Sequence, residues 1–190
     1  GAVEDLPTDA LRQIFEANFF GWHHLTRLAV KVMREQKEGR IIQNSSVLGF
    51  AALRFRGAYN STKFALEGLS DTLRLELKGS GIHVILIEPG PIRTRIRKNS
   101  QPHFERWVDW QNSNLKRIYQ QIVIPRLTAS DNGPPNLFEL TPAAVSAAVV
   151  EACESSKPNL RYRITLLTKI AWLLKRLLPV KLLDQILARL

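Results

Sequence analysis

Two long stretches of the chain have the residue pattern of helices. Residues 8–37 form the first, in which Thr8 or Asp9 can cap the start and Gly39 can end it. The second covers residues 57–77, where apolar residues alternate with charged ones. Its apolar positions are Phe64, Leu66, Leu69, Leu73, Leu75 and Leu77. Both segments are therefore predicted to be helices.

Short apolar runs follow these helices. The segment GRIIQNSS carries Ile41 and Ile42 and ends in small polar residues. IHVILIEPG is a longer run with β-branched residues, and Pro89 and Gly90 stop it. Both are predicted strands, and the second is apolar on both faces, which is typical of a buried parallel strand. The order helix, strand, helix, strand predicts βαβ units and a parallel sheet in an α/β fold.

The last third continues this pattern more loosely. A helix is predicted near residues 142–156, and RYRITLL is a candidate third strand. An amphipathic helical tail follows, which Pro179 interrupts. Its longest apolar run, IAWLL, is too short to span a membrane.

Composition excludes some classes of site. The chain of 190 residues is 45% hydrophobic and 23% charged, which is ordinary for a globular domain. One cysteine, Cys153, allows no intrachain disulfide and no Cys-rich metal site. The four histidines share no ligand spacing with carboxylates or with that cysteine, so no metal site is predicted. A reducing, cytoplasmic setting is the default expectation.

The net charge of +10 is unevenly distributed. Residues 90–126 hold eight Lys/Arg against two acidic residues, and residues 161–190 hold seven against one. A nucleic-acid-binding protein more often has one continuous basic face, so nucleic acid is not an expected partner. Polar side chains recur along the tail at Thr168, Lys169, Lys175 and Arg176. This helix is expected to dock on the core or on a second subunit, or to lie on an anionic membrane surface.

Candidate chemical groups follow the two predicted strands. Ser45 and Ser46 come after the first strand, and Pro89 and Gly90 come after the second. In open parallel sheets, ligands bind beyond the carboxyl ends of the strands. We therefore expect these four residues at the ligand-binding edge of the sheet.

A tyrosine and a lysine open the helix that leaves the first of these loops. Tyr59 and Lys63 are four residues apart, which places both side chains on one helix face. Taken alone, such a pair is either an ordinary exposed pair or a tuned proton donor. Asn18 adds an amide in the middle of the first helix, where asparagine is mildly unfavourable.

Four ordered motifs resemble the short-chain dehydrogenase/reductase family. They are ANFFG with Asn18, GRIIQNSS with Ser46, YNSTK with Tyr59 and Lys63, and EPGPIRT. The chain is similar in particular to bacterial NADP-dependent members that reduce aldehydes and to retinol- or steroid-dehydrogenase-like members. The resemblance implies a Rossmann-like, doubly wound parallel sheet. It also implies hydride transfer between NADP(H), or alternatively NAD(H), and an aldehyde, ketone or alcohol.

The resemblance also implies roles for individual residues. Tyr59 would act as general acid or base, and the Ser46 hydroxyl would hold the same substrate oxygen. A free phenol has a pKa of about 10, which the Lys63 ammonium is expected to lower. The backbone at Asn18 would hold a water that links Lys63 to solvent. The implied cofactor-binding residues are Tyr59, Lys63, Pro89, Gly90, Ile92 and Thr94.

Several alternatives stay open. Ser45 could be the catalytic serine, although the spacing to Tyr59 favours Ser46. Asn18 could be a buried helix-kink residue, and Thr94 could simply cap the next helix. The alternative functions are a catalytically silent family member that acts as a binding or assembly protein, and a basic amphipathic module on a membrane surface.

Residues 93–126 correspond to a mobile lid over the substrate in the family. Phe104 and Trp107, together with Trp110, could cover an apolar, lipid-like substrate, so the first two are candidate substrate contacts. The alternative is that these aromatic side chains pack within their own helices.

One family feature is missing. The Gly-rich turn that follows the first strand and meets the pyrophosphate is not found among the ten glycines. The chain also begins with Gly1, and its only methionine, Met33, lies in a helical pattern. We therefore expect the C-terminal catalytic part of the fold, with residues 1–160 as a partial catalytic domain and 161–190 as the last strand and basic helices. A homo-oligomer formed through the two long helices is also expected.

Overall fold

A three-stranded parallel sheet forms the centre of the chain. The computed structural model describes residues 1–129 and 138–189. Its strands are β1 (Gly39–Asn44), β2 (Ile82–Glu88) and β3 (Arg161–Arg163), in the spatial order β1-β2-β3. Gly39 is in register with Ile82, and Leu86 is in register with Arg161. The two strands predicted from the apolar runs are confirmed, while the third is shorter than RYRITLL.

The helices surround this sheet in chain order. They are α1 (Thr8–Phe15), α2 (Gly21–Gln36), α3 (Gly57–Glu76), α4 (Ile96–Trp107), α5 (Lys116–Ile118), α6 (Ile124–Thr128), α7 (Pro142–Glu154), α8 (Leu166–Leu177) and α9 (Val180–Leu187). No helix of the described residues is both long enough and apolar enough to cross a membrane.

Both faces of β2 are covered because its side chains alternate between two cores. On one face, Ile85 and Ile87 contact Ala148 and Ala152 of α7. On the other, Ile82 and Val84 lie against α2 and α3, through Val30, Met33, Leu73 and Leu77. Helices on both faces of a parallel sheet make the fold doubly wound and Rossmann-like, as predicted.

The helix predicted at residues 8–37 is interrupted by a π-helical turn. This turn spans Glu16–Phe20, so that α1 and α2 form one rod with a wider turn at its middle. The expected caps are wrong at both ends. The helix begins after Pro7, whose fixed φ suits that position, and it ends at Lys37, whose φ of 61° is left-handed.

Helix α3 buries polar residues on the side that faces the sheet. Leu66 and Leu77 are buried as expected, but Phe64 and Leu75 are exposed, at 39% and 72%. The residues buried in their place are largely polar: Asn60, Thr62, Lys63, Glu67 and Ser70. This inversion of the amphipathic pattern is the first structural sign that α3 contributes to a site as well as to the core.

The C-terminal segment turns from strand to helix at Thr165. The Thr165 hydroxyl accepts from the Thr168 backbone N–H and caps α8, so β3 ends at Arg163 and the expected strand is cut short. The helical tail breaks before Pro179, as predicted. Because β3 pairs with β2, this segment completes the central sheet. The expected boundary between residues 1–160 and 161–190 stays a prediction.

Candidate active site

Ser46 and Tyr59 meet at the carboxyl edge of the sheet. Tyr59 lies in the first turn of α3, and the Ser46 hydroxyl lies close enough to its phenol to oppose in part the rise of the phenol's pKa. The Ser46 oxygen also accepts from the Leu48 backbone N–H at 3.1 Å, which closes a short 3₁₀ turn over Val47–Gly49. Since that oxygen already accepts a bond, the hydroxyl proton is available to the phenolic oxygen.

Backbone hydrogen bonds fix the loop that carries Ser46. The Ser45 N–H donates to Ile87 O at 2.8 Å, and the Val47 N–H donates to Pro89 O at 2.8 Å. The loop is therefore held on both sides of Ser46 by the end of β2. The Ser45 hydroxyl, by contrast, is buried with no hydrogen-bond partner among the described residues. This geometry favours Ser46 over Ser45 as the residue that acts with the phenol.

Lys63 is buried beneath the phenol. Its side chain is only 4% exposed, and its Nζ donates to Asn44 O at 2.7 Å, where β1 ends. The same ammonium lies 5.6 Å from the Tyr59 ring centroid and 4.6 Å from that of Trp22. Burial lowers the pKa of Lys63 to about 8, and the Glu67 carboxylate partly opposes this.

The expected direction of the Tyr59 pKa is wrong. Burial raises it above its usual value, while the Ser46 hydrogen bond and the Arg56 guanidinium act in the opposite direction. Lys63 donates to Asn44 O and lies over the face of the Tyr59 ring. The cation that acts on the phenol in this structure is therefore Arg56, which sequence reasoning missed, although it directly precedes the tyrosine helix.

Asn18 lies within the π-helical turn. Its Nδ2 donates to the Thr62 hydroxyl at 3.4 Å, and that hydroxyl donates to Tyr59 O at 2.8 Å. A π turn shifts the hydrogen-bond register of a helix and often occurs at functional sites. Asn18 therefore contacts the helix that carries Tyr59 and Lys63, and its role in binding a water stays a prediction.

Pro89 and Gly90 follow β2 on the same edge. A side chain cannot be accommodated at Gly90, because a Cβ there would overlap the hydroxyls of Thr165 and Thr168. Beyond it, Ile92 forms a parallel bridge with Leu140. These contacts explain the turn through packing, and the cofactor-binding roles of these residues stay predictions.

Thr94 lies at the start of α4 and is exposed. Its hydroxyl accepts from the Ile96 backbone N–H at 3.4 Å, in the manner of a helix cap. The alternative that Thr94 caps the next helix thus has structural support. A contact with cofactor stays a prediction.

The lid aromatics form a separate apolar cluster. Phe104 and Trp107 pack around the fully buried Tyr119, whose hydroxyl donates to Asp5 at 2.7 Å. Trp107 Nε1 also donates to Gln13 Oε1 at 3.0 Å, which ties α4 to α1. Phe104 and Trp107 therefore pack among neighbouring helices, as the alternative interpretation expected. A substrate contact by either residue stays a prediction.

A buried ion network lies behind the site. Arg161 of β3 binds Glu67, Glu88 and Asp71, and the last contact measures 2.6 Å. Burial raises the pKa of the Glu88 carboxyl, and the charge of Glu67 adds to this effect. Burial of Arg161 acts against its positive charge, but the carboxylates outweigh it and raise its pKa. Arg161 and Glu88 are 73 residues apart in the sequence, so only the fold brings them together.

The described residues contain no group of His, Cys, Asp and Glu side chains that could hold a metal ion.

The site can be compared with known proteins. A family model described as short chain dehydrogenase matches residues 1–104. The uncharacterized oxidoreductase YbbO of Escherichia coli (strain K12) is 41% identical over 187 residues, which are 98% of this chain and 62% of that protein. The NADPH-dependent 3-dehydrocapnine reductase of Ornithobacterium rhinotracheale is 31% identical over 195 residues, with coverage of 98% and 64%.

A solved structure shares the fold. The short-chain dehydrogenase from Streptomyces avermitilis matches with a TM-score of 0.70 and 26% identity, covering all of this chain and 62% of its own. The chain thus spans about 62% of the length of the proteins that it matches. The family model extends over more than half of the chain and includes the motifs around Asn18, Ser46, Tyr59 and Lys63. The chain therefore belongs to the short-chain dehydrogenase family.

Proposed function

We propose that this chain is the catalytic part of an oxidoreductase that transfers a hydride between NADP(H) and an aldehyde or ketone, or the corresponding alcohol. The single observation that carries the proposal is that the Ser46 hydroxyl lies close enough to the Tyr59 phenol to lower its pKa. Two hydroxyl groups aimed at one point can hold and protonate one carbonyl oxygen. Family membership and the NADPH dependence in the name of a 31% identical relative support the reaction class and the cofactor.

Each side chain has a distinct task in the reduction. The Ser46 hydroxyl donates a hydrogen bond to the carbonyl oxygen and polarises the C=O bond. The Tyr59 phenol gives its proton to the same oxygen as the carbonyl carbon becomes tetrahedral, which leaves a phenolate. Bound NADPH supplies the hydride, and the hydride chemistry is its own. The Arg56 guanidinium then stabilises the phenolate electrostatically.

The residues present fit the nicotinamide side of the cofactor. An ammonium has three N–H donors, and within the described residues Lys63 uses one of them, on Asn44 O. Its remaining donors suit the hydroxyls of a ribose. The Gly-rich turn that would meet the pyrophosphate is not in this sequence, so no residues are assigned to that half of the cofactor.

The proposal is tested by turnover. In the natural protein that contains this chain, NADPH-dependent reduction of a panel of aldehydes is measured for the wild type, Tyr59→Phe and Ser46→Ala. Loss of the proton donor should lower kcat by about 10²- to 10⁴-fold in Tyr59→Phe, with little change in the KM for NADPH.

Tyr162→Phe is the matched control, since this tyrosine is buried in the apolar core around α7 and away from Ser46. It should retain wild-type kcat. Undiminished turnover by Tyr59→Phe would remove the phenol from the mechanism. NADPH binding without turnover of any carbonyl would favour the catalytically silent family member.

The proposed substrate is apolar or lipid-like. Support comes from the aromatic cluster of α4, where Phe104 lies 5.9 Å from the Tyr119 ring, on the segment expected to cover the substrate. Long-chain aldehydes should therefore show a lower KM than short ones. The reverse order would overturn this substrate class.

Self-association is also part of the proposal. Exposed apolar side chains on the two long helices support it; they are Phe20, Leu25, Leu28, Val32, Phe64 and Leu75. An exposed apolar face of this kind suits a homo-oligomer. Light scattering should show that Leu28→Glu dissociates the oligomer, whereas the exposed Lys31→Glu should not.

Peripheral membrane contact through α8 is the weaker alternative. Leu166, Ile170, Leu173 and Leu177 are exposed along one side of the helix. On another side, Lys175 binds Phe50 O, and Trp172 stacks with Arg163. The helix is thus docked on the core and still presents an apolar stripe. Co-sedimentation with anionic vesicles, compared between wild type and Leu173→Asp, tests whether that stripe binds lipid.

A further inference from the structure

Arg56 lies beside the proposed proton donor and has no carboxylate partner within residues 1–129 and 138–189. It directly precedes α3, three residues before Tyr59, and its guanidinium acts electrostatically on the phenol. Arg97 of α4 and Arg126 of α6 act on Arg56 in turn. We call Arg56, Arg97 and Arg126 the arginine cluster. It brings three positive charges to the edge of the sheet where the substrate oxygen would be held.

The described part of the chain does not neutralise this charge at Arg56 or Arg97. No carboxylate there lies within ion-pair distance of either, whereas Arg161 binds three carboxylates. Burial lowers the pKa of Arg56, and the like charge of Arg97 adds to that effect. A half-buried guanidinium among like charges is unfavourable unless an anion joins it. An arginine fork also matches the geometry of a carboxylate, phosphate or sulfonate oxygen pair.

The backbone beside Arg56 is strained. Phe55 has a φ of 61°, in the left-handed region that bulky side chains avoid. Such a conformation persists only where the surroundings hold it, and it is concentrated at functional sites. Phe55 packs against Tyr119 with ring centroids 6.0 Å apart, which supplies the restraint. In this conformation Phe55 packs in the apolar cluster, and the next residue, Arg56, leads into the helix that carries Tyr59.

Cationic and apolar side chains thus adjoin each other where Phe55 is followed by Arg56, just before the helix that carries Tyr59. Phe55 and Phe104 both contact Tyr119, and Ile124, two residues before Arg126, packs on the same cluster. A ligand bound at Arg56 would have the apolar cluster of Phe55 one residue away along the chain. This combination suits an amphiphilic anion better than a neutral hydrocarbon chain.

We infer that the arginine cluster binds an anionic group on the substrate itself, so that the preferred substrate is a carbonyl compound with a carboxylate, phosphate or sulfonate and an apolar portion. This inference rests on the proposed oxidoreductase function and specifies its substrate class. Arg56 is the principal ligand of the anion, and Arg97 adds to the field.

The test compares charged and neutral forms of one substrate. In the natural protein that contains this chain, kcat/KM for NADPH-dependent reduction is measured with an aldehyde that carries a carboxylate and with its methyl ester. The wild type should prefer the carboxylate. Arg56→Gln should reduce that preference by about 10- to 100-fold, the range expected for one charged hydrogen-bonded pair. Arg97→Gln should reduce it to a smaller extent.

Arg54→Gln is the matched control. Arg54 is exposed two residues away, stacks on Phe55 at 5.2 Å, and does not act on the phenol. It should leave the preference unchanged. Because Arg56→Gln also removes a cation from Tyr59, both substrates should react more slowly. The ratio between them isolates anion binding from that general effect.

The outcomes separate the two levels of inference. If both aldehydes are turned over and Arg56→Gln prefers the carboxylate substrate as strongly as the wild type does, anion binding is overturned. The oxidoreductase proposal is then left intact. A rise in the KM for NADPH with an unchanged ratio also overturns it, since the arginines would then bind cofactor phosphate. If neither aldehyde reacts, calorimetric titration with octanoate and octanol decides. Octanoate binding that Arg56→Gln abolishes supports the anion site, and equal binding of both ligands overturns it.

Discussion

The ammonium of Lys63 lies over the face of the Tyr59 ring, 5.6 Å from its centroid, and donates to Asn44 O at 2.7 Å. The lysine is therefore fixed by the end of β1, with its charge over the face of the phenol ring. Its burial is unfavourable for the charge and lowers its pKa to about 8. Because burial of this charge is unfavourable, replacing Lys63 with an uncharged side chain should stabilise the protein.

Lys63→Met should increase the free energy of unfolding near neutral pH. The pKa of Lys63 is about 8 in the folded protein and 10.5 for the free side chain, so the unfolded chain binds more protons between these values. The free energy of unfolding of the wild type is therefore lower by roughly 2–3 kcal/mol below about pH 8. It recovers as the pH rises towards the pKa of Lys63 in the unfolded chain. Urea unfolding at about pH 7 and about pH 10.5 measures both states.

The advantage of Lys63→Met over wild type should therefore be large at the lower pH and shrink at the higher one. Lys31→Met is the control, because Lys31 is exposed on α2. Its difference from wild type should not depend on pH. A stability difference for Lys63→Met that stays constant across this range would contradict burial as the cause of the lowered pKa.

Ser46→Ala should raise the pKa of the Tyr59 phenol. The Ser46 hydrogen bond favours the phenolate and lowers this pKa, in opposition to burial. Without it, the basic form needed to oxidise an alcohol is reached only at higher pH. The rising limb of kcat/KM against pH for alcohol oxidation should shift upwards, and the maximum rate should fall by about tenfold or more.

Ser45→Ala provides the comparison for this profile. The Ser45 hydroxyl is buried one residue away and has no hydrogen-bond partner among the described residues. Its removal should leave the pH profile in place and change stability little. If the two alanine variants shift the profile equally, the effect comes from the loop as a whole and not from the Ser46 hydroxyl.

Local pattern predicted the fold but not the electrostatics of the site. The strand at Ile82–Glu88 was predictable because its residues are apolar on both faces, and the long helices because their periodicity is local. The meeting of Ser46 and Tyr59 followed from a family resemblance in their spacing. The pKa of Tyr59 is raised chiefly by burial of its phenol, which depends on packing between distant segments, so its direction was predicted wrongly.

Arg161→Met should destabilise the protein by about 3 kcal/mol at neutral pH. The substitution leaves Glu67 and the fully buried Glu88 without their shared guanidinium. Breaking a buried ion pair by removing one partner typically has this effect. The lost charge should also raise the already raised pKa of Glu88, so that the loss of stability grows as pH rises through it.

Arg74→Met tests the same acidic partner in a more exposed setting. Arg74 binds Asp71 at 2.7 Å, and the Asp71 side chain is 43% exposed. This surface pair should contribute no more than about 1 kcal/mol. Chemical unfolding at about pH 5 and about pH 7 distinguishes the variants. An Arg161→Met loss as small as that of Arg74→Met, or one that is independent of pH, would exclude a structural role for the network.

Gly90→Ala should destabilise the turn after β2, because the added Cβ meets the hydroxyls of Thr165 and Thr168 beneath α8. Both threonines are fully buried and bonded to each other at 3.0 Å, so they have little room to move. We expect the free energy of unfolding to fall by about 1–3 kcal/mol.

Gly68→Ala is the matched control within α3, where a Cβ meets nothing within 4 Å, and it should stabilise the protein by about 0.5–1 kcal/mol. Thermal unfolding of both variants measures this contrast, and the double variant Gly90→Ala/Thr168→Ala should recover part of the loss. Equal stability of Gly90→Ala and wild type would show that the helix cap at Thr165 does not depend on a glycine beneath it.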